Sequence, residues 1–413
     1  MSTPSHTNAT HQNAGTSAPP LRVGIIGGGQ LGLMLAESLA QFDTLISILD
    51  PDPCAPAARA ASMRARSSRT GGADLVATTH FVAAPFDDKD ALLEFVSKQD
   101  VVTYDWESID ADTLRTAAAA VGAKVIPDLS ILEMTRSRLA ERRFIESLDL
   151  PCAPYAAAAS LEEVRQGLRN LGLPVVVKTD RGGYDGKGQW VLASDGDLER
   201  AAPALEGHFA RGGKVILERR IELLAEVSCI VARNTTTTVT FPVFDNTHRN
   251  QILWTTEVPS RLPSETTELA RSIALQCATA ARLEGLLTVE FFVGKQPGES
   301  LPRLLINEFA PRPHNSGHVT RRATTFSQFD ALARCLLDLP LVAPRLLTLP
   351  DGSRYRMTNI MGEDILALQG RKNFAQQVLD TEGDRLLEYF DYGKRDVRAG
   401  RKMGHYIAVT DGT

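Results

Sequence analysis

A glycine-rich segment between residues 175 and 190 constrains the fold more than any other part of the sequence. It reads VVVKTDRGGYDGKGQW, so a β-branched run that predicts a strand ends in Lys178, and four glycines follow within residues 182–188. Such a loop lets backbone N–H groups approach phosphate oxygens closely, and Lys178 and Lys187 supply positive charge. The pattern predicts a nucleotide-binding loop, although the G-x-x-x-x-G-K-[ST] order of a Walker loop is absent. A flexible hairpin turn with incidental lysines is the alternative.

The size and composition of the chain indicate a globular protein of two or three domains. Its 413 residues exceed what one core usually supports, and the hydrophobic (43%) and charged (23%) fractions are ordinary for soluble proteins. The formal charge of −5 and the lack of a basic stripe disfavour a nucleic-acid partner. The five cysteines are scattered and include no C-x-x-C pair, which indicates neither a disulfide framework nor a zinc site. A reducing cytoplasm is therefore the predicted location.

Residues 1–20 differ in composition from the rest of the chain. They are polar and lack both a basic leader and an apolar core, so we expect a disordered tail and no signal peptide. No apolar run in the sequence reaches membrane-spanning length, so no membrane partner is predicted.

A second glycine motif opens the first predicted domain. The predicted strand Val23–Ile26 leads into G-x-G-x-x-G at residues 27–32, and Asp50 ends the next predicted strand. This arrangement meets the dinucleotide-binding fingerprint, with Asp50 as the ribose-binding acid. The alternative is a Rossmann-like turn that holds another anion, such as a sugar phosphate. Further strands at Phe81–Val82 and Val101–Thr103 extend a parallel α/β pattern, and the last ends in the acidic segment YDWE.

The middle of the chain alternates between predicted helices and strands. A single basic helix is predicted over Ser130–Leu148, with its arginines on a wet surface. Helices over Leu161–Leu171 and Leu198–Phe209, together with strands at 175–178 and 215–218, predict a small α/β lid that carries the glycine-rich loop. Beyond the lid, two long antiparallel strands are predicted at Glu226–Val231 and Thr235–Val243, followed by a turn at residues 245–248.

Two later strands each carry an acid inside an apolar run. They are predicted at Thr288–Val293, which contains Glu290, and at Leu304–Phe309, which contains Glu308. Buried carboxylates without partners are costly, so acids on adjacent core strands indicate a shared cation, and an all-oxygen ligand set selects Mg²⁺ or Mn²⁺. Asn307 should point to the opposite face unless a bulge intervenes. The alternative pairs each acid with a nearby arginine, such as Arg312.

Two polar loops complete the set of candidate sites. The first, APRPHNSGH at residues 310–318, carries groups that can hold an oxyanion, but it lacks a third ligand for zinc. The second, residues 393–405, is strongly basic and is either a phosphate clamp or a solvated surface.

Five segments in this order resemble one enzyme family. GIIGGGQLGLML, VVVKTDRGGYDGKGQW, VILERRIELLAEVSCIVAR, INEFAPRPHNSGH and GRKMGH are similar to the N5-carboxyaminoimidazole ribonucleotide synthetases of purine biosynthesis, within the ATP-grasp superfamily. The resemblance runs from about Leu21 to the C-terminus, and Ala399 departs from it where a proline often precedes GRK. It implies that the first domain does not bind NAD. It also implies a homodimer that uses ATP and Mg²⁺ to carboxylate aminoimidazole ribonucleotide with bicarbonate, through carboxyphosphate.

The resemblance also implies a domain plan within the α/β and α+β classes. A tail over residues 1–20 precedes a Rossmann-like parallel-sheet domain over 21–128. An ATP-grasp domain follows over 129–345, with its lid at about 155–217, and a small β-rich C-terminal subdomain covers 346–413. Another ATP-grasp carboxylate–amine ligase or formyltransferase, an NAD-linked oxidoreductase and a non-catalytic nucleotide-binding regulator remain as alternatives.

The site residues are implied by matching positions in the family pattern. Implied ATP contacts are Arg138, Lys178, Gly183, Tyr184, Asp185, Gly186, Lys187, Gly188, Gln189, Glu218, Arg219, Arg220, Ile221, Glu226, His248, Asn307 and Glu308. Implied metal ligands are Glu290 and Glu308, and implied catalytic residues are Asp185, Lys394 and Arg312. Implied contacts to the ribonucleotide and bicarbonate are Gln30, Leu31, His314, Asn315, Ser316, Arg401 and Lys402.

Overall fold

The computed structural model describes residues 19–58, 79–182, 188–296, 298–350 and 352–411. The predicted tail up to residue 18 lies outside the described residues. So do five of the predicted nucleotide-loop positions, namely Gly183, Tyr184, Asp185, Gly186 and Lys187.

The N-terminal part forms a parallel five-stranded sheet, which confirms the predicted Rossmann-like architecture. Its elements are β1 (Leu21–Ile26), α1 (Gln30–Leu39), β2 (Thr44–Asp50), β3 (Thr79–Ala83), α2 (Lys89–Val96), β4 (Val101–Tyr104), α3 (Ala111–Val121) and β5 (Lys124–Val125). The strand order is β3-β2-β1-β4-β5. Because the strands are parallel, their carboxyl ends share one edge of the sheet, and the glycine turn after β1 lies beside Asp105 after β4.

The predicted single helix over Ser130–Leu148 is wrong, because the chain forms two helices there. They are α4 (Leu129–Thr135) and α5 (Arg138–Ser147). Ser137 between them has extended backbone angles, caps α5 through Ala140 N–H and donates its hydroxyl to Asp180 at 2.8 Å. Ser137 stabilises the break between the two helices, because it caps the second helix and also bonds a distant carboxylate. Helical periodicity in the sequence does not reveal such a break.

The lid is a four-stranded antiparallel sheet with two helices. In chain order it comprises β6 (Tyr155–Ala158), α6 (Leu161–Leu171), β7 (Val175–Thr179), β8 (Gln189–Leu192), α7 (Asp195–Ala210) and β9 (Val215–Arg219). The order β6-β9-β7-β8 places β7 centrally, and Val175 and Val177 point into the lid core with Leu217. The predicted lid helices and strands are confirmed. Lys178 alternates with the two buried valines, so its side chain lies on the opposite face of the lid sheet.

The largest sheet joins the body of the protein to its C-terminal part. Its first elements are β10 (Glu222–Arg233), β11 (Thr238–Thr240), β12 (Phe244–Arg249), β13 (Ile252–Val258), α8 (Ser264–Ala280), β14 (Gly285–Lys295) and β15 (Arg303–Ala310). A 3-10 turn (Asn315–Val319) and two helices, α9 (Thr320–Ala323) and α10 (Gln328–Leu336), follow. The last elements are β16 (Arg354–Met361), α11 (Gly362–Ala367), α12 (Arg371–Glu382), a 3-10 turn (Gly383–Arg385), β17 (Leu386–Asp391) and β18 (Lys402–Thr410).

The strand order of this sheet is β15-β14-β10-β12-β13-β16-β18-β17, with β11 beside β10. The C-terminal strands thus extend the body sheet through the β13–β16 pair. The predicted long strand Thr235–Val243 is wrong, since only Thr238–Thr240 of this segment forms a strand. The predicted turn at residues 245–248 is also wrong, since it lies inside β12. Asp245 resembles a turn residue in sequence, but its carboxylate accepts bonds from Arg261 N–H at 2.8 Å and Arg354 at 2.6 Å, which satisfy it within a strand.

One hydrophobic core connects the first domain to the body sheet. It contains Ile25 and Met34 of the first domain together with Phe244, Phe329 and Leu332 of the body. The carboxyl edge of the first sheet contacts the loop that follows β15, since Glu107 after β4 accepts a bond from Arg312 Nε at 2.7 Å. None of the described helices is long and apolar enough to cross a membrane.

Candidate active site

Glu290 and Glu308 lie directly opposite each other on neighbouring strands, as predicted. The β14–β15 register pairs Glu290 with Glu308 and then Phe291 with Ile306, so Asn307 is an extra residue in β15. This is the bulge that the sequence analysis named as the condition for Asn307 to join the acids. Asn307 and Glu308 are both partly exposed, whereas Ile306 and Phe309 beside them are buried. A bulge re-aims side chains locally, and here it gives the cleft two acids and an amide.

Each acid has a cationic or hydrogen-bonding partner. Glu308 is 3.3 Å from the Arg138 guanidinium, and Glu290 Oε1 is 3.0 Å from His314 Nε2. Burial acts to raise the pKa of Glu290, but His314 outweighs it and holds the pKa below its ordinary value. The alternative, an arginine partner for each acid, holds for Glu308 through Arg138. Arg312 itself is hydrogen-bonded to Glu107 instead, where its Nε donates at 2.7 Å.

His314 is held by a buried chain of hydrogen bonds that begins at Glu290. Its Nδ1 is 2.8 Å from Ser316 Oγ, which is 2.9 Å from Ser228 Oγ on β10. Asn246 on β12 donates to Ser228 at 2.9 Å. Because β10, β12 and β14 are neighbours in the sheet, the chain fixes the imidazole against three strands.

Lys178 belongs to a buried ion triad at the base of the lid. Its Nζ is 2.6 Å from one oxygen of Glu218, and the Arg142 guanidinium contacts the other oxygen at 2.5–2.8 Å. Burial raises the pKa of Glu218, but Arg142 and then Lys178 outweigh it and hold the pKa at about 2. The structure thus brings together two predicted nucleotide contacts, Lys178 and Glu218.

Arg142 was not predicted as a site residue, because the arginines of the basic helix were expected on a wet surface. The Arg142 side chain is only 3% exposed. The argument used for Glu290 could have found it, because Glu218 is also an acid inside a buried strand and needs a cation.

Glu226 and His248 form a pair on β10 and β12. Their side chains meet at 2.9 Å, and Asn246 rather than His248 stands opposite Glu226 in the register. Burial lowers the pKa of His248, but Glu226 outweighs it and leaves the pKa raised. Of the predicted contacts, Arg219 ends β9, and Arg220 and Ile221 form the link from β9 to β10. Gly188 precedes β8, and Gln189 is its first residue.

The glycine turn of the first domain is occupied by carboxylates of its own chain. Gly28 N–H donates to Asp50 at 2.7 Å, and Gly32 N–H donates to Asp105 at 3.1 Å. Gly27 has a φ of +113°, and a Cβ there would lie 1.5 Å from Asp105 Oδ1. In a dinucleotide fold, N–H groups of this turn face the pyrophosphate. In this protein two of these N–H groups donate to Asp50 and Asp105, whose carboxylates would repel a pyrophosphate.

We therefore expect NADH to show no saturable binding. The two carboxylates occupy the donors and add negative charge where the pyrophosphate would lie. A titration that follows cofactor fluorescence measures this directly, with lactate dehydrogenase as the positive control. A micromolar dissociation constant would contradict the assignment of Asp50 and Asp105 as occupants of the turn.

Three ionisable side chains from three parts of the chain influence one another electrostatically beside this turn. Asp105 follows β4, Arg312 follows β15, and Lys394 lies in the loop between β17 and β18. Burial raises the pKa of Asp105 to about 7, although Gly32 N–H, Arg312 and Lys394 all favour its ionised form. Burial and then the charges of Arg401 and Lys402 lower the pKa of Lys394 to about 8. The Lys394 ammonium donates to the Lys402 carbonyl at 2.9 Å.

The remaining predicted substrate contacts differ in how far their side chains are exposed to solvent. Gln30 is half-buried and Leu31 is buried in the first turn of α1. Asn315 and Ser316 are buried, and Asn315 accepts a bond from Asn359 at 3.0 Å. Arg401 donates to the Asp396 carbonyl at 2.9 Å. Their contacts to a substrate stay predictions.

The fold and this cleft define an ATP-grasp enzyme, and comparisons with known proteins agree. Three family models match the chain: "ATP-grasp domain" at residues 143–329, "Ribonucleotide synthetase preATP-grasp domain" at 21–136, and "Phosphoribosylaminoimidazole carboxylase C-terminal domain" at 356–413.

Individual relatives narrow the class to one family. N5-carboxyaminoimidazole ribonucleotide synthase of Bacillus subtilis is 34% identical over 388 residues, covering 94% of this chain and 91% of the relative. The crystal structure of N5-carboxyaminoimidazole synthetase from Staphylococcus aureus complexed with ADP matches with a TM-score of 0.79 at 30% identity, covering 94% and 93% of the two chains. The bifunctional purine synthesis protein of Dictyostelium discoideum is 34% identical over 396 residues, but the chain spans only 37% of its length. The chain belongs to the N5-carboxyaminoimidazole ribonucleotide synthase family.

Proposed function

We propose that this protein carboxylates 5-aminoimidazole ribonucleotide to N5-carboxyaminoimidazole ribonucleotide in purine biosynthesis, using ATP and bicarbonate and releasing ADP and phosphate. The observation that carries the proposal is the position of Arg312. Arg312 lies just after β15, which carries Glu308 in the nucleotide half of the cleft, and its Nε donates at 2.7 Å to Glu107, two residues beyond Asp105 in the other half. A phosphoryl donor and an amine acceptor bound in the two halves would therefore lie next to each other.

The residues present fit a divalent cation. Glu290 and Glu308 are opposed carboxylates, and the bulge adds the Asn307 amide, so the donors are all oxygen, as Mg²⁺ prefers and Mn²⁺ accepts. The described residues contain no group of three or more His, Cys, Asp or Glu side chains that could hold a metal. Phosphate oxygens of ATP would therefore complete the coordination. When bound, the ion would neutralise charge on the transferring phosphoryl group.

The protein's own residues would bind and orient the reactants. Lys178 and Arg138 place positive charge beside the phosphates, and the buried partners of Lys178 hold it in one position. The hydrogen-bonded chain through Ser316 keeps the His314 ring on Glu290. Transfer of the γ-phosphoryl to bicarbonate yields carboxyphosphate, whose phosphate leaves readily as the substrate amine captures the carboxyl group. The lid would exclude water from this short-lived compound.

We also propose a cytoplasmic homodimer. All five cysteines are free thiols, as a reducing compartment allows. Light scattering after gel filtration gives the mass of the assembly, and a monomer at assay concentration would exclude the dimer.

Phosphate release from ATP tests the reaction itself. We expect release to need Mg²⁺ and bicarbonate and to rise strongly when aminoimidazole ribonucleotide is added. A matched assay with formate in place of bicarbonate separates a formyltransferase from a carboxylase. Release that is indifferent to aminoimidazole ribonucleotide would contradict the proposed substrate.

Lys394 and Arg401 should respond differently to replacement by alanine. Arg401→Ala is expected to raise the KM for the ribonucleotide about tenfold to hundredfold, because a charge-assisted bond to phosphate contributes about 1.5–3 kcal/mol. Lys394→Ala should mainly lower kcat, since this buried ammonium lies beside Asp105. Steady-state kinetics with each substrate varied in turn measures both.

The dependence of kcat on pH gives a second test of the role of the Lys394 ammonium. Its lowered pKa keeps the ammonium charged below about pH 8 and neutral above it. The kcat of the wild-type enzyme should therefore fall above that pH, and this limb should vanish in Lys394→Ala. Unchanged kinetic constants in both alanine variants would assign residues 393–405 to ordinary surface.

A further inference from the structure

A cavity of about 450 Å³ lies at the junction between the lid and α5, and we call it the hinge cavity. Its cationic lining comprises Arg143 on α5, Arg181 after β7 and Lys214 before β9, with the ring of His208 at the end of α7. Its lining includes none of the cleft residues Lys178, Glu290 or Lys394. Its volume is within the range of small-molecule sites.

The three cationic side chains of the hinge cavity have no anionic partner in the described part of the chain. Arg143, Arg181 and Lys214 are all exposed, and none forms an ion pair or a side-chain hydrogen bond there. Arg142, next to Arg143, is by contrast buried and doubly bonded to Glu218. Like charges that line one cavity repel each other unless an anion lies between them.

The only acid among the described lining residues, Asp180, is already used to hold the lid against α5. Its Oδ1 accepts bonds from the Ser137 hydroxyl at 2.8 Å and from Leu139 N–H at 2.9 Å. With one carboxylate against three cations, the described lining carries a formal excess of two positive charges. The protein as a whole has a formal charge of −5, so this local excess is opposite in sign to the rest of the molecule.

The wall of the hinge cavity depends on a glycine. His208 Nε2 lies 3.1 Å from the Lys214 carbonyl, and a Cβ on Gly213 would lie 2.3 Å from that nitrogen. Any side chain at this position would push the imidazole away from the loop. Gly213 therefore lets the loop close against His208 and brings Lys214 to the cavity.

We propose that the hinge cavity binds a phosphate group, either as inorganic phosphate or as a phosphomonoester. Two guanidinium groups can each bond a phosphate with two parallel N–H donors, and the Lys214 ammonium adds a third cation. The bound anion bridges α5 to the lid. It also lies next to the nucleotide contact Arg138, whose N–H donates to the Asp180 carbonyl at 3.0 Å.

Calorimetric titration of inorganic phosphate into the full chain, preloaded with ADP and Mg²⁺, tests the proposal. The variants are Arg143→Gln and Lys214→Gln, and the matched control is Arg169→Gln, an exposed lid arginine outside the cavity. We expect saturable binding in the wild type, a dissociation constant raised about tenfold or more in each cavity variant, and no change in the control. Circular dichroism checks folding, and Lys214→Gln, in an exposed loop, serves if Arg143→Gln does not fold.

A second titration with AMP, again with ADP bound, identifies the source of the phosphate group. Tighter binding than inorganic phosphate, lost in the same two variants, would identify a phosphomonoester; equal or weaker binding would identify free phosphate. Phosphate binding that is the same in the wild type and both cavity variants would overturn the proposal, as would no saturable binding of either probe. These titrations measure binding alone, so the phosphate site can fail while the proposed carboxylation holds, and the reverse.

Discussion

Replacing Glu308 with glutamine is expected to lower kcat at least about a hundredfold while the fold stays intact. Glu308 is partly exposed, with 41% of its side chain accessible, and the amide has nearly the same shape, so little packing is lost. The substitution removes half of the carboxylate charge that Glu290 and Glu308 present together. Removing one preorganised electrostatic contact at a reacting centre typically costs about 10²–10³ in rate.

A direct measurement of metal binding separates a lost cation from other causes. Titration of Mn²⁺ into the ADP-bound protein, followed by electron paramagnetic resonance, should show a weaker site in Glu308→Gln. Glu299→Gln is the matched control, because Glu299 is an acid near the start of β15 that bonds Arg303 at 3.3 Å and lies outside the cleft. Near-normal activity of Glu308→Gln at saturating Mg²⁺ would disprove the shared cation.

Replacing Arg142 with methionine is expected to lower the free energy of unfolding by about 3–5 kcal/mol. The change removes one of the two cations that hold the Glu218 carboxylate, and both partners are buried, with 3% and 7% of their side chains exposed. Breaking a buried ion pair on one side leaves a charge without full compensation, which is the costly case. Urea unfolding at neutral pH measures the difference.

Arg143→Met is the matched control for Arg142→Met, because it removes the same side chain one residue later from an exposed position. We expect a change of at most about 0.5 kcal/mol there. Adding Glu218→Gln to Arg142→Met should restore part of the loss, since the uncompensated carboxylate is then gone. Equal stability of the two methionine variants would show that the buried triad does not stabilise the lid base.

The low pKa of Glu218 also predicts how this stability depends on pH. Its folded pKa of about 2 lies below the ordinary value of 4.5, so the folded state prefers the ionised form. The contribution of the ionised Glu218 carboxylate to the free energy of unfolding is therefore fully present above about pH 4.5, and it is lost as the pH falls toward 2. Acid unfolding should shift to higher pH in Arg142→Met.

Local patterns in the sequence predicted much of the framework. The β-branched run that ends in Lys178 predicted a strand leading into the glycine-rich loop, and the structure confirms that strand as β7. Two apolar runs joined by a short turn predicted that Glu290 and Glu308 lie on adjacent strands. These features depend on side-chain periodicity over a few residues, which is written directly in the chain.

The partners of charged residues could not be predicted in this way. Arg142 and Arg143 are adjacent and identical in the sequence, yet one is buried and the other is exposed. The difference depends on Glu218, 76 residues away. The glycine turn likewise matches a dinucleotide motif, and only the structure shows that Asp50 and Asp105 accept bonds from its Gly28 and Gly32 N–H groups.

The sequence by itself determined the lid strand with its glycine-rich loop, the parallel sheet of the first domain and the two opposed acids, because each follows from local periodicity and turn chemistry. Only the tertiary structure decided the bulge that brings Asn307 beside Glu308, the burial of Arg142, and the meeting of Asp105, Arg312 and Lys394. The physical reason is that burial and charge pairing depend on which distant elements pack together. A carboxylate and the cation that stabilises it are close in the folded structure but can be far apart in the sequence, so the sequence alone does not show which residues pair.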